Sequence, residues 1–436
     1  MMPFSPAFCE RVVLLVAVLL RVLVGLSSYS GEATPPKFGD YEAQRHWMEL
    51  TVNVAPADWY RESAANNASY WPLDYPPLSG YQSWVHGQAL QHLEPPAVKL
   101  FESNGYETPS SKAIMRATVL MSDLLFFFPA VLCAVRALYG PSASAPRAFA
   151  LAATLLNPAL VIIDHGHFQF NCISLGLAVA GAAAIAAKRH SLGSVLFCLA
   201  LNHKQMTLYY APAFFAHLLG TSFRNKGFWK VSSVLKLGIV VVATFGLAWL
   251  PWLTNKEELL QVVRRIFPMQ RGLFEDYVAN WWCVSTVAFK WKRMIPAEQM
   301  VKLAAAVTLT GALPSMAHQM AHPSPQGLLF GMANSAASFF MFSYQVHEKS
   351  VLLPLLPVTL LAGYQPSAAC WLPLISMVSM WPLLVRDGLA LPYAGLALLW
   401  LGLMAFWGPQ LSNLTTTSSS LSAEEHSNQR GRRGKG

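Results

Sequence analysis

Residues 118–139 read TVLMSDLLFFFPAVLCAVRALY. This apolar run matches the roughly 20 residues that an α-helix needs to cross the hydrocarbon core of a bilayer. Similar runs recur along nearly all of the 436 residues. Hydrophobic side chains make up 54% of the chain, charged ones only 12%, and the mean hydropathy is +0.37. A soluble domain carries about 25% charged residues. One all-α polytopic membrane domain is expected, with about 12 transmembrane helices between a first segment at 11–28 and a last at 390–406. Two segments, 191–201 and 351–361, are short; such pieces are tolerated where broken helices line a cavity enclosed by protein. The run 12–26 also has the length of a removable leader core, but Arg21 interrupts it, so a retained first helix is expected.

The net charge of +9 resides in short connections and at the C-terminus. That placement suits control of topology and contact with anionic headgroups, not nucleic acid. Arg136 and Arg147, then Lys188, Arg189 and His190, then Arg224, Lys226, Lys230 and Lys236 fall in alternate connections. The positive-inside rule puts these in the cytoplasm and, with an even number of crossings, both termini with them. Residues 412–436 are rich in Ser and Thr and end GRRGKG, the composition of a disordered cytoplasmic tail. The polar patches at 29–116, 164–171 (DHGHFQFN), 201–206 (LNHKQM), 254–300 and 345–350 (QVHEKS) then share the other face. The stretch 254–300 is basic, yet long loops translocate largely regardless of charge. The sequon Asn67-Ala68-Ser69 lies on that face, whereas Asn413-Leu414-Thr415 lies in the cytoplasm and stays bare. Six scattered cysteines without a C-x-x-C pair argue against a disulfide framework and a zinc site.

The polar loop 39–84 holds the most chemistry. It reads GDYEAQRHWMEL, then DWY, then YWPLDYPPLSGYQSW. Carboxylates among flat amphipathic rings suit a sugar-handling site, because rings stack on sugar faces and a carboxylate can take a hydroxyl proton. Asp74, stiffened by Pro76 and Pro77, is either such a base or the cap of the helix that follows. Asp40 and Glu42 could share a divalent cation, contact a sugar hydroxyl or simply be solvated. His165 and His167 lack further ligands at convincing spacing, so a polar turn shaping a cavity is favoured over zinc. His347, Glu348 and Lys349 form either an interfacial loop or a phosphate clamp with Glu348 orienting a cation. Arg264, Arg265 and Arg271 mark an amphipathic segment whose arginines meet phosphate or lipid headgroups.

In this order, GDYEAQRHWMEL, LDYPPLSGY, DHGHFQFN, LNHKQM, RRIFPMQRGLFEDYVANWWC and FSYQVHEKS resemble the endoplasmic-reticulum glucosyltransferases that use dolichyl-phosphate glucose. The resemblance runs from about Tyr29 to Leu384, and FEDYVANWWC with FSYQVHEKS looks like the branch that adds the first glucose in α-1,3 linkage. It implies a GT-C transmembrane catalytic domain over 1–411, with 29–116 as a catalytic first lumenal loop and 254–300 as a second long one. It also implies inversion at the glucose anomeric carbon without metal or cofactor. The implied partners are dolichyl-phosphate glucose, a dolichyl-diphosphate oligosaccharide and the lipids of the endoplasmic-reticulum membrane. By resemblance the base is Asp74. The leading expectation from the residues themselves is that His347, Lys349 and Arg271 meet phosphate beside Glu348, while Asp40 and Glu42 orient sugar hydroxyls. Two departures stand out: Asn104 replaces an expected arginine, and His203 an expected aromatic. The alternatives are the second-glucose enzyme of the same family and a lipid or sugar transporter. A transporter would show internal repeats, and none is evident.

Overall fold

A computed structural model describes residues 6–141, 143–267, 272–273 and 278–407. Among them all regular structure is helical. In chain order the helices are α1 (Pro6–Gly25), α2 (Asp40–Asn53), α3 (Pro77–Leu93), α4 (Pro109–Tyr139) and α5 (Ser144–Phe168). Next come α6 (Asn171–Ala186), α7 (His190–His203), α8 (Ala211–Phe223), α9 (Phe228–Ala248) and α10 (Lys256–Ile266). The last are α11 (Ala297–Ala321), α12 (Pro325–Phe342), α13 (Leu352–Leu360), α14 (Pro366–Ser379) and α15 (Ala390–Trp407). Five of them, α4, α5, α9, α11 and α15, are long and apolar enough to cross a membrane. Backbone groups in hydrocarbon must pair within their own segment, which is why such runs become helices. The expected short segment at 351–361 is the nine-residue α13, about 14 Å long and buried on nearly every side.

The centre of the bundle is α5, buried along most of its length and packed against α1, α4, α13 and α14. By contrast α9 and α15 present most of their surface outward. Small residues set the close contacts. At Gly193 on α7 an added Cβ would lie 2.9 Å from the carbonyl oxygen of Gly181 on α6, so only glycine lets these two helices approach so closely.

Both α4 and α5 contain a π-helical stretch, Asp123–Phe127 and Ile162–Phe168. Such widened turns re-aim side chains, and here they carry Asp123, His165 and His167 inward. Arg21 on α1 forms an ion pair with Asp123 and donates to the carbonyls of Leu155, at 2.7 Å, and Ala17, at 3.0 Å. His165 Nε2 lies 2.9 Å from the same Asp123 carboxylate. Arg116 on α4 donates to the carbonyls of Gly166, at 2.8 Å, and Ser28, at 3.0 Å. The arginine that interrupts the first apolar run thus has a buried partner.

Outside the apolar helices a second core joins the two long loops. Trp47, Leu50, Trp59, Tyr60 and Leu73 from 29–116 pack with Trp252, Val262 and Ile266 from the region of α10. The local logic of α10 is plain. Asn255 caps it by accepting from the Glu257 amide at 2.9 Å, acids open it, arginines close it, and its apolar face meets the rings.

Removing one member of a buried ion pair leaves the other uncompensated, at about 3–5 kcal/mol. Arg21→Met should therefore lower the thermal unfolding midpoint of the purified chain markedly, and Arg21→Met/Asp123→Asn should recover part of the loss. An unchanged midpoint in the single variant would contradict the pairing.

Candidate active site

The polar groups flagged along the chain meet at one end of the bundle. Asp40 opens α2 at the first helical position, where a carboxylate suits the helix dipole; its amide donates to Ser30 Oγ at 3.2 Å. Its carboxylate accepts from Lys349 Nζ at 2.6 Å, pairs with His167 Nε2 at 3.0 Å and accepts from Gln169 Nε2. The other nitrogen of His167, Nδ1, is bonded to Asp387 Oδ2. Lys204, at the C-cap of α7, donates to Gln169 Oε1 at 2.7 Å and Asn171 Oδ1 at 2.6 Å. Asp164 accepts in turn from the Asn171 side chain at 2.7 Å and the Cys172 amide at 2.7 Å. Asp40 is 25% and Lys349 17% exposed, against 1% for His167, so the first two face an opening that His167 supports from behind.

The Asp74 turn lies beside this network. Gln205 Nε2 donates to the Asp74 carbonyl at 3.2 Å, and Lys204 Nζ lies 4.8 Å from the centre of the Tyr75 ring. Tyr75 is fixed by Trp47, with ring centroids 5.0 Å apart, and by the Tyr60 hydroxyl, which donates to its carbonyl at 2.7 Å. The N-cap of α3 is Pro76, which has no side-chain oxygen to offer. The turn therefore holds a half-buried carboxylate at the edge of a cationic pocket.

The turn at 345–350 joins the network through Lys349. Its entry is fixed by Gln345, whose amide donates to the Leu273 carbonyl at 3.0 Å. The same bond draws the second long loop onto the pocket. His347 is half-buried at the head of the turn and accepts from the Ser350 amide at 3.0 Å. Glu348 is 5% exposed, and its Oε2 has no hydrogen-bond partner among the described residues. Arg271 lies outside the described residues.

Some expected residues sit elsewhere than their motif suggested. Glu42 is 2% exposed and gives its oxygens to Arg45, at 2.6 and 2.7 Å, the Tyr70 hydroxyl, at 2.7 Å, and the Gly105 amide, at 3.0 Å. Residues two apart on a helix point away from each other, so Asp40 and Glu42 serve different neighbourhoods. Glu42 braces the loop, and the loop 103–107 that lacks the expected arginine closes on it through Gly105, whose φ is +69°. Trp47, Trp59 and Tyr60, expected to offer faces to sugars, are 4%, 1% and 1% exposed and form core instead. His165 and His167 also part company, one bonded to Asp123 and the other to Asp40 and Asp387.

The charges set each other's ionisation. Burial opposes the charge on Asp40, but Lys349 and His167 outweigh it and hold the carboxyl well below its ordinary value. Burial likewise opposes the charge on Lys349, and Asp40 with Glu348 raises it. Burial, then the neighbouring Lys349, pushes Lys204 down to about 8 against the pull of Asp164, Asp40 and Asp74. Lys349 and Asp40 at the opening, with Lys204 and His167 buried behind them and the Asp74 turn alongside, can hold a phosphate and deprotonate a hydroxyl at neighbouring points.

The profile of the ALG6, ALG8 glycosyltransferase family matches residues 17–430. A probable dolichyl pyrophosphate Man9GlcNAc2 alpha-1,3-glucosyltransferase of Arabidopsis thaliana is 47% identical over 88% of this chain and 72% of its own length. The dolichyl pyrophosphate Man9GlcNAc2 alpha-1,3-glucosyltransferase of Gallus gallus is 45% identical over 88% of this chain and 76% of its own. The Saccharomyces cerevisiae protein of that name is 38% identical over 90% and 74%.

A carboxyl whose folded pKa is depressed contributes stability that is complete above its unfolded value, about 3.9, and is lost as pH falls through the lower folded value. The unfolding midpoint of the native chain should therefore drop below about pH 4 more steeply than that of Asp40→Asn. Parallel acid limbs in the two proteins would show that Asp40 is not so paired.

Proposed function

The chain belongs to the ALG6, ALG8 glycosyltransferase family, and from that premise we propose that it transfers glucose from dolichyl-phosphate glucose to a dolichyl-diphosphate-linked oligomannose. The product carries the first glucose in α-1,3 linkage, made with inversion. The names of the relatives support this acceptor. The observation that carries the mechanism is the meeting of Asp40, Lys349 and His167 beside the Asp74 turn, from segments remote along the chain.

The chemistry asks little of acid catalysis. Dolichyl phosphate leaves as a stable anion, so its departure calls for cations, not a proton donor. Lys349, His347 and Lys204 supply that charge, and Arg271, which lies outside the described residues, is assigned to the same phosphate from its sequence motif alone. The attacking mannose hydroxyl calls for one base, and Asp74 is the carboxylate on the stiff turn at the pocket edge. Inversion needs base and leaving phosphate on opposite sides of the anomeric carbon, which suits groups brought in by separate segments. Asp40 orients sugar hydroxyls and restrains Lys349 between turnovers. Glu348, buried behind Lys349, tunes its charge, and Glu42 acts at one remove by bracing the loop. His167 and Asp387 are positioning residues.

This reading places the enzyme in the endoplasmic-reticulum membrane, in contact with its lipids. Residues 1–411 make one GT-C domain of about 12 crossings with 29–116 and 254–300 lumenal, and 412–436 join both termini in the cytoplasm. The surface position of Asn67 leaves its sequon open to modification if that face is lumenal, since its side chain is exposed and accepts from the Ser69 hydroxyl at 2.7 Å.

With synthetic donor and the purified chain, Asp74→Asn should cut transfer by about 10²–10⁴-fold at unchanged abundance. Near-normal transfer would remove Asp74 from the role. Offering acceptors with and without a first glucose separates this activity from addition of the second. In microsomes Asn67→Gln should abolish a glycosidase-sensitive mobility shift; no shift in the native chain would contradict the assigned orientation.

A further inference from the structure

The end of the bundle remote from this site holds a second cationic cavity. Helix α6 leaves the site at Asn171 and α7 returns to it at Lys204, so their connection lies one helix away. The 16 residues of α6 place it at about 24 Å, close to the thickness of a bilayer's hydrocarbon core. There Lys188, Arg189 and His190 meet Ser222 at the end of α8 and Asn225 in the α8–α9 connection, and Lys236 projects from the first half of α9. Together they line an open cleft of about 400 Å³ that no carboxylate lines among the described residues.

Several features go beyond a positively charged loop. Lys188 adopts a left-handed backbone, with φ +60°, a conformation that non-glycine residues rarely take. It ends α6 tightly, as the Lys188 amide donates to Ile185 at 2.8 Å and the Arg189 amide to Ala184 at 2.8 Å. The Nδ1 atom of His190 is shielded from solvent and has no hydrogen-bond partner among the described residues. Phe228 and Trp229, 77% and 70% exposed, stand at the start of α9 as the aromatic side chains of a membrane interface do. One wall of the cavity belongs to α9, whose apolar surface faces almost wholly outward. A ligand held there therefore has its charge against the basic turn and its remainder against lipid.

We propose that this cavity binds the phosphate headgroup of an anionic membrane phospholipid. Lys188, Arg189 and Lys236 supply the charge, while His190, Ser222 and Asn225 supply hydrogen bonds. The acyl chains lie along α9. A volume of about 400 Å³ falls in the range of small-molecule sites, roughly 300–1,000 Å³. None of these residues belongs to the Asp40–Lys349 cluster, so failure of this assignment leaves the proposed glucosyl transfer untouched.

The test uses the full chain reconstituted with phosphatidylcholine and phosphatidylinositol, extracted in detergent and weighed by native mass spectrometry for retained phosphatidylinositol. Lys188→Gln/Arg189→Gln/Lys236→Gln should reduce retention by about tenfold or more. Arg224→Gln/Lys226→Gln/Lys230→Gln removes equal charge from the same end outside the cavity, and should change retention by less than about twofold. Transfer activity should be unchanged in both. The single variant Lys236→Gln, on an exposed position of α9, serves if the triple variant does not fold, and should itself lower retention. Equal losses in the two triple variants would overturn the site in favour of diffuse surface attraction. Displacement of the lipid by inorganic phosphate alone would overturn it in favour of a soluble anion.

Discussion

Charge buried among apolar helices has to be matched locally, and most of this architecture follows from how the matching is done. Arg21, Asp123 and His165 neutralise one another where α1, α4 and α5 cross. Two residues further along the same widened turn, His167 does the equivalent between Asp40 and Asp387. One π-helical stretch therefore connects a structural ion cluster to the polar pocket. The first loop, the end of α7, the 345–350 turn and the segment before α15 are held in mutual register by bonds that none can make alone. Loss of any single partner leaves another charge stranded in a poor solvent for it.

The loops follow a different physics. Inside a bilayer the hydrophobic effect no longer favours helix association, because lipid is as apolar as leucine. Outside it, burying aromatic surface works as in any soluble domain. The cluster of Trp47, Trp59, Tyr60, Trp252 and their aliphatic neighbours thus gives the two loops a core of their own. The Asp74 turn rests directly on it through Tyr75, which makes the carboxylate's position depend on ring packing some distance from any substrate.

Much of this was legible in the sequence. Apolar runs located the long helices, and the order of polar patches foretold which turns would meet. Composition does not tell a ring that faces a ligand from one that fills a core, and Trp59 and Tyr60, in a stretch whose make-up suits sugar contact, fill a core. Spacing alone does not tell which way two carboxylates on one helix turn point, and Glu42, two positions from Asp40, faces Arg45 instead. The polar turn expected around His167 does shape the pocket, whereas Lys204 lies in a polar patch with no signal to single it out. Asp387 gave none, because an Arg-Asp-Gly turn is ordinary until its carboxylate is found against a histidine 220 positions away.

The pairing of Arg21 with Asp123 also bears on biogenesis. The two are separated by 102 positions, so the ribosome delivers the arginine long before its counter-charge exists. Arg21 lies in the last third of α1, where an unpaired arginine opposes insertion by less than the roughly 2.5–3.5 kcal/mol it costs at mid-helix. The first helix is therefore held only provisionally until α4 emerges, and its final seating is a late event that waits on a distant stretch of the nascent chain.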